Sequence, residues 1–271
     1  MNPLVSIILP AYNCEKFIRK TIHSLINQTY SNFELLVIND GSTDATTSII
    51  QSFKDTRIQL IQNEKNKGLI YTLNKGIELS KGKYIARIDA DDICLPERLQ
   101  KQVNWLEKNT QIAIVATQIL LIDEQDEATG NWLLDMQNTT ANQIKKAMLW
   151  QNCIAHPTVL FRSEIIKKYQ YSNNQKHSED YDLWLQILAD GFIIEKVPEQ
   201  LVKYRVHSNS VTGAINRKRN PFFIQYNTKR KFLLGRFQQL KWGLFETKIL
   251  FTMLYDGMMG IGKVIKTLFK N

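Results

Sequence analysis

Leu4-Val-Ser-Ile-Ile-Leu-Pro-Ala-Tyr-Asn13 and Phe33-Glu-Leu-Leu-Val-Ile-Asn-Asp-Gly-Ser42 decide the fold. Each begins as a short apolar run and closes on turn residues, the pattern of a buried strand. Between them, Glu15 to Gln28 sets Phe17, Ile18, Ile22, Leu25 and Ile26 at helical spacing, and a second helix is predicted from about Thr43 to Phe53. Strand, helix, strand, helix implies a parallel sheet with right-handed crossovers on both faces. The alternation continues with a strand at Ile58 to Ile61, a helix from about Gly68 to Leu79, a strand at Tyr84 to Ile88 and a helix from Pro96 to Lys108.

Further along, Ile112 to Thr117 and Ile119 to Ile122 resemble two strands around a turn or bend, and residues 123–142 read as a polar surface loop. Thr158 to Phe161 is a predicted strand, Ser163 to Tyr169 a short helix, Ser178 to Ala189 a helix stopped at Gly191, and Leu201 to Val206 a last strand. Beyond about residue 211 the texture turns basic and aromatic, with Leu233, Phe237, Leu240 and Leu244 at steps of four, three and four on amphipathic helices.

The 271 residues are 44% hydrophobic and 23% charged, with 12 Gly and 6 Pro, which excludes disordered and collagen-like classes. Cys14, Cys94 and Cys153 are odd in number and widely spaced, so a disulfide framework or structural zinc site has no support and a reducing, cytosolic compartment is expected. No uncharged apolar run of spanning length occurs, and neither secretion nor membrane spanning is expected. The net charge of +9 is uneven: residues 200–271 hold 14 Lys/Arg against 2 Asp/Glu, and the first 199 hold 21 against 24.

In an open parallel sheet, ligands sit at the carboxyl ends of strands. Three such ends carry polar residues: Pro10-Ala-Tyr-Asn13, Asn39-Asp-Gly-Ser-Thr-Asp44 and Asp89-Ala-Asp-Asp92. The last acids repel one another at close range, a cost that a hard divalent ion such as Mg²⁺ or Mn²⁺ removes. Asp92 alternatively caps the helix before Pro96. The Asp40 turn also reads as a helix start capped by Ser42 or Thr43. Glu179 and Asp180 fall in the first turn of a helix capped by Ser178, where acids favour the helix dipole.

In this order and spacing, Pro10-Ala-Tyr-Asn13, Val37-Ile-Asn-Asp-Gly-Ser-Thr-Asp44, Asn66-Lys-Gly-Leu69, Ile88-Asp-Ala-Asp-Asp92 and Ser178-Glu-Asp-Tyr-Asp-Leu-Trp184 resemble the family 2 glycosyltransferases. The resemblance covers roughly residues 3–210 and implies a GT-A fold, a Rossmann-like α/β architecture with a mostly parallel central sheet flanked by helices. It implies a nucleotide-sugar half at about 1–95, an acceptor half at about 96–210, and a C-terminal helical extension at 211–271. It also implies an inverting hexosyl- or N-acetylhexosaminyltransferase that uses a nucleotide sugar, UDP first, with Mn²⁺ or Mg²⁺ as cofactor.

Carried over residue by residue, Ala11 and Tyr12 would line the nucleobase pocket and Asp40 would accept from the imide N–H of the base. Asp89 would contact ribose or sugar, Asp91 would coordinate the metal, and Asp180 would be the general base with Glu179 binding or positioning substrate. Pro10, Asn13, Gly68, Arg87 and Ala90, in or beside these motifs, join the nucleotide- and sugar-binding set. His207 would touch the metal or diphosphate, or else is a surface His in a loop. Arg205 is open between phosphate pairing and a structural ion pair, and His156 between the acceptor border and a turn fixed by Pro157. Trp132 and Trp150 are candidate sugar platforms, Trp184 a core residue, and Cys14 and Cys94 spectators.

The implied acceptor is a glycan or lipid-linked precursor in surface polysaccharide synthesis. For the basic tail two readings stand: helices lying on an anionic membrane at the inner face of the cell membrane, or helices packed on the catalytic domain. Nucleic-acid binding would account for the tail but not for acids at three strand ends, and no nucleic-acid partner is expected. A dinucleotide oxidoreductase lacks its glycine-rich turn. A catalytically inactive sugar-nucleotide binder is the remaining alternative.

Overall fold

A computed structural model describes residues 2–175, 178–207 and 220–268. Its first half is the predicted alternation: β1 (Val5–Ala11), α1 (Ile18–Ile26), β2 (Phe33–Asn39), α2 (Thr46–Gln51), β3 (Ile58–Gln62), α3 (Leu69–Leu79) and β4 (Tyr84–Arg87). These four strands run parallel in the order β3-β2-β1-β4. Parallel strands are covered on both faces, so their runs are continuously apolar. Ile8, Leu36 and Ile38 enter one core with Leu73 and Ile77 of α3. Ile7, Leu9, Leu35 and Val37 enter the other with Ile18, Ile22 and Leu25 of α1.

The second half contains β5 (Ile93–Cys94), α4 (Arg98–Lys108), β6 (Ile112–Ile122), β7 (Ala128–Asn131), α5 (Leu133–Gln137), α6 (Ala141–Met148), β8 (Leu160–Arg162), α7 (Ser163–Tyr169), α8 (Glu179–Ala189) and β9 (Ile193–Arg205). Here the sheet continues β4-β8-β6-β9-β5, with β7 beside β6. β8 is antiparallel to both β4 and β6, whereas β6 and β9 are parallel. The GT-A expectation of a helix-flanked, mostly parallel sheet thus holds, with antiparallel pairing where β8 joins the two halves and where the short strands β5 and β7 pair with β9 and β6.

Several predicted boundaries shift for physical reasons. The two strands around a bend are one strand, β6, whose irregularity survives as register shifts against β9 at Thr117, Gln118 and Ile119. β9 starts well before Leu201; Pro198 within it is exposed and falls in the register shift against Thr117 and Gln118. The 123–142 stretch is not a simple surface loop, for it carries β7 and α5, and Asp135 inside it is fully buried. Lys196 of β9 explains this burial: its Nζ donates to Asp135 Oδ1 at 2.5 Å and to the Cys153 carbonyl at 2.6 Å.

The tail forms α9 (Pro221–Gln238) and α10 (Leu244–Leu268). The spaced Leu233, Phe237, Leu240, Leu244 stripe is not one buried face: α9 ends before Leu240, whose φ of 55° breaks the helix, and only Leu233 is buried. Phe232, Leu233, Ile249 and Met253 enter the core of α8, so the inner faces of the tail pack on the preceding domain. Arg217-Lys-Arg219 lies outside the described residues.

Removing one partner of a buried ion pair leaves an uncompensated charge. Lys196→Ala is therefore expected to lower unfolding free energy by about 3–5 kcal/mol, read as a shifted midpoint in urea.

Candidate active site

β1 and β2 end in register, Ala11 opposite Asn39. Pro10 and Ala11 are buried strand residues, and Ala11 packs into the α1-side core, so Tyr12 and Asn13 are the residues of this motif whose side chains reach the open edge. Asn13, at φ 45°, accepts from the Thr43 amide at 2.9 Å and ties the two loops together. The cap expected from Ser42 or Thr43 comes instead from Asp44, which accepts from the Thr46 amide at 3.0 Å, and from Glu15, which accepts from the Ala45 amide at 2.8 Å. Asp40 is buried, and its oxygens accept from Asn63 Nδ2 at 2.7 Å, Lys67 N at 2.9 Å and Gly68 N at 2.8 Å. A carboxylate offers about four acceptor directions, and these contacts use three of them. Gly68, at φ 90°, starts α3 and spends its amide on this contact.

At the end of β4, one oxygen from each of Asp89, Asp91 and Asp92 lies within 4.8 Å of the others. Arg87, only 2% exposed, forks onto Asp89, with Nη1 at 2.9 Å from Oδ2. His207 Nε2 lies 2.9 Å from Asp91 Oδ2. Asp92 does not cap α4: its Oδ1 accepts from the Arg205 amide at 2.8 Å, and its Oδ2 is buried without a partner. Burial, then the charges of Asp91 and Asp89, push the Asp92 carboxyl well above the usual range. Burial pushes Asp89 up to about 6 against the pull of Arg87. An orphaned buried oxygen in an all-carboxylate cluster fits a hard divalent cation. Arg205 resolves to the structural role: it donates to the Asp91 and Asp123 carbonyls, pairs with Asp126 and lies over the Phe17 ring at 4.5 Å. Ala90 contributes its carbonyl, which accepts from Thr21 Oγ1 at 2.9 Å.

Across from the triad stands the start of α8. Ser178 occupies the cap position without a side-chain cap bond. Asp180 accepts from Asn152 Nδ2 at 2.7 Å and from the Tyr181 amide at 2.7 Å. Burial, followed by the Asp180 charge, pushes Glu179 up to about 7, and burial raises Asp180 as well. The Asp180 charge also helps raise Asp89, and Arg87 acts on Asp89, Glu179 and Asp180 alike. His156 Nε2 lies 2.8 Å from the Tyr171 hydroxyl; burial, with Arg87 nearby, holds its pKa well below the usual value. Trp184 is core, stacked on Phe161. Burial pushes the Cys14 thiol up to about 12, as befits a spectator.

The sequence reading placed Asp92 in the acidic cluster that a divalent ion would relieve but singled out Asp91 as the metal ligand, and it missed Asn152 and Tyr171 altogether. Asn152 and Tyr171 sit in stretches without a motif, and only folding brings them to Asp180 and His156.

The family model for glycosyl transferase family 2 matches residues 6–169. The chain belongs to glycosyltransferase family 2. This family 2 glycosyltransferase is 38% identical over 230 residues to an uncharacterized glycosyltransferase of Haemophilus influenzae, covering 80% of this chain and 70% of the relative. It is 33% identical to the Escherichia coli UDP-Glc:alpha-D-GlcNAc-diphosphoundecaprenol beta-1,3-glucosyltransferase WfaP, covering 78% of this chain and 80% of WfaP. Staphylococcus aureus TarS 1–349, solved with UDP-GlcNAc, shares the fold at TM-score 0.70 and 18% identity over 85% of this chain and 65% of its own. The Pyrobaculum calidifontis mannosyltransferase PcManGT, solved with GDP-Man and Mn²⁺, does so at 0.66 and 17%, over 96% of this chain and 71% of its own.

Because Asp92 bears a buried, unpaired oxygen among like charges, Asp92→Asn should stabilise the metal-free protein. A gain of about 1 kcal/mol corresponds to a rise of about 2–4 °C in melting temperature. Added Mn²⁺ is expected to stabilise the parent and not this variant, which differential scanning fluorimetry reads directly.

Proposed function

We propose that this family 2 glycosyltransferase is metal-dependent and inverting, and that it moves a hexose from a UDP-sugar to a hydroxyl of a lipid-linked glycan precursor. One observation carries the reading. A cation-fitting carboxylate triad and a hydrogen-bonded carboxylate at a helix start share one buried guanidinium, Arg87. The relatives named for UDP-Glc and a diphosphoundecaprenol acceptor, WfaP at 33% and WfgD at 34% identity, support UDP and a lipid-linked acceptor for this chain.

Asp91 and Asp92, with Asp89 and His207 beside them, would hold the divalent cation, which when bound neutralises charge on a leaving diphosphate. Tyr12 stands exposed where a base would stack, and Asp40 offers its remaining acceptor direction to the base N–H. Asn152 fixes the orientation of Asp180, and burial raises its affinity for a proton, as suits a base that must take one from an acceptor hydroxyl. As the acceptor O–H bond breaks toward Asp180, the oxygen bonds the anomeric carbon. The bond from that carbon to the diphosphate breaks with its electron pair on the diphosphate. A single displacement of this kind inverts configuration. Arg87 keeps Asp89 and Glu179 compatible with a charged Asp180 nearby.

UDP titrated calorimetrically should bind only with Mn²⁺ or Mg²⁺ present, and Asp91→Ala should lose that binding; metal-independent binding in both proteins would overturn the assignment. Asp180→Asn should lower kcat by about 100- to 10,000-fold with UDP affinity retained. Since the base works deprotonated and its site raises carboxyl pKa values, activity falls as pH drops through the pair's titration. The acid limb should therefore lie above the range of an ordinary carboxylate, because burial raises Asp180.

A further inference from the structure

Helix α10 wears its polarity inside out. Its two acids face inward, Glu246 accepting from Arg236 Nε at 2.8 Å and Asp256 pairing with Lys229 Nζ at 2.7 Å. Its outward stripe is apolar: Phe251, Leu254, Met258, Ile261 and Ile265 follow at steps of three and four, with exposures from 47% at Ile265 to 67% at Phe251. Leu240, 92% exposed, and Trp242 extend this surface into the turn between α9 and α10. On a 3.6-residue helix, Lys248 and Lys266 fall together along one edge of the stripe, and both are exposed. An exposed apolar patch of this extent marks an interaction surface.

We propose that the outer face of α10, with the α9–α10 turn, docks on an anionic lipid surface. Charge complementarity selects the occupant. Both acids of α10 are consumed on its inner face, and Lys248 and Lys266 border one edge of the stripe, which matches anionic headgroups beside a shallowly buried apolar face. A second copy of this chain pairing through the same stripe would set lysine edges against a helix with no outward acid to receive them. Among the described residues no helix is long and apolar enough to cross a membrane, so the helix lies on the surface. The placement also bears on the site. Tyr255 of α10 meets Trp150 edge-on at 5.5 Å, and Asn152, two residues further along, orients Asp180. The docking face therefore adjoins the base side of the cleft; the docking itself stands apart from the transferase reading.

The test is sedimentation with vesicles and uses no activity assay. The full chain should bind vesicles of phosphatidylcholine with about 25% phosphatidylglycerol, and bind pure phosphatidylcholine about tenfold more weakly. Phe251→Glu and Met258→Glu, at exposed positions, should keep the parent melting temperature and lose vesicle binding by about tenfold or more. Lys248→Ala and Lys266→Ala should each weaken binding about fivefold and flatten its salt dependence. The proposal is overturned if the parent ignores phosphatidylglycerol vesicles or if the Glu variants bind as the parent does. A dimer in analytical ultracentrifugation that the Glu variants dissolve, without vesicle binding by the parent, would assign the face to a second copy.

Discussion

Arg87 lies at the end of β4 with almost no exposed surface, and its guanidinium faces Asp89, Asp92, Glu179 and the Tyr171 hydroxyl. Carboxylates brought this close in a partly buried site resist staying charged together, because little water and little distance screen them. One fixed cation reduces the cost, and Arg98 fixes it in turn by donating to the Arg87 carbonyl at 2.9 Å. The carboxyls of Asp89, Asp92 and Glu179 are nevertheless raised, by burial first and by neighbouring carboxylates after it. On the proposed function, a divalent ion would complete the balance, and the same crowding of carboxylates would favour its binding.

The rest of the cleft is held by charges used structurally rather than chemically. Arg205 binds the Asp91–Asp92 turn to the loop at residues 123–126, and Lys196 pins Asp135 and the Cys153 carbonyl beneath the start of the 150s loop. Asp40, besides the base contact proposed for it, braces the loop that leads into α3. Each of these groups has about the cost of burying an ion and recovers it through several hydrogen bonds. That rigidity is what an orienting contact such as Asn152 to Asp180 requires.

The tail joins the two themes. Its basic and acidic side chains that look solvent-directed in the sequence, Lys229, Arg236, Glu246 and Asp256, are paired inside the interface between α9, α10 and α8. Polar groups so consumed leave apolar ones outside, reversing the pattern of a helix that packs on a core and faces water.

The sequence by itself determined the parallel half of the sheet, because alternating apolar runs and helical stripes are local periodicities that read without knowledge of partners. It also determined the acids at the end of β4 and at the start of α8, since a strand or helix terminus places the residues next to it. The tertiary structure alone decided which of these groups meet. Asp91 and His207 are 116 residues apart, Asp180 and Asn152 28, Lys196 and Asp135 61. Only the folded chain could turn a polar stretch at 123–142 into one with a buried carboxylate, or leave Asp92 with an oxygen to offer. Contacts over such separations depend on strand order and loop packing, which no local pattern encodes.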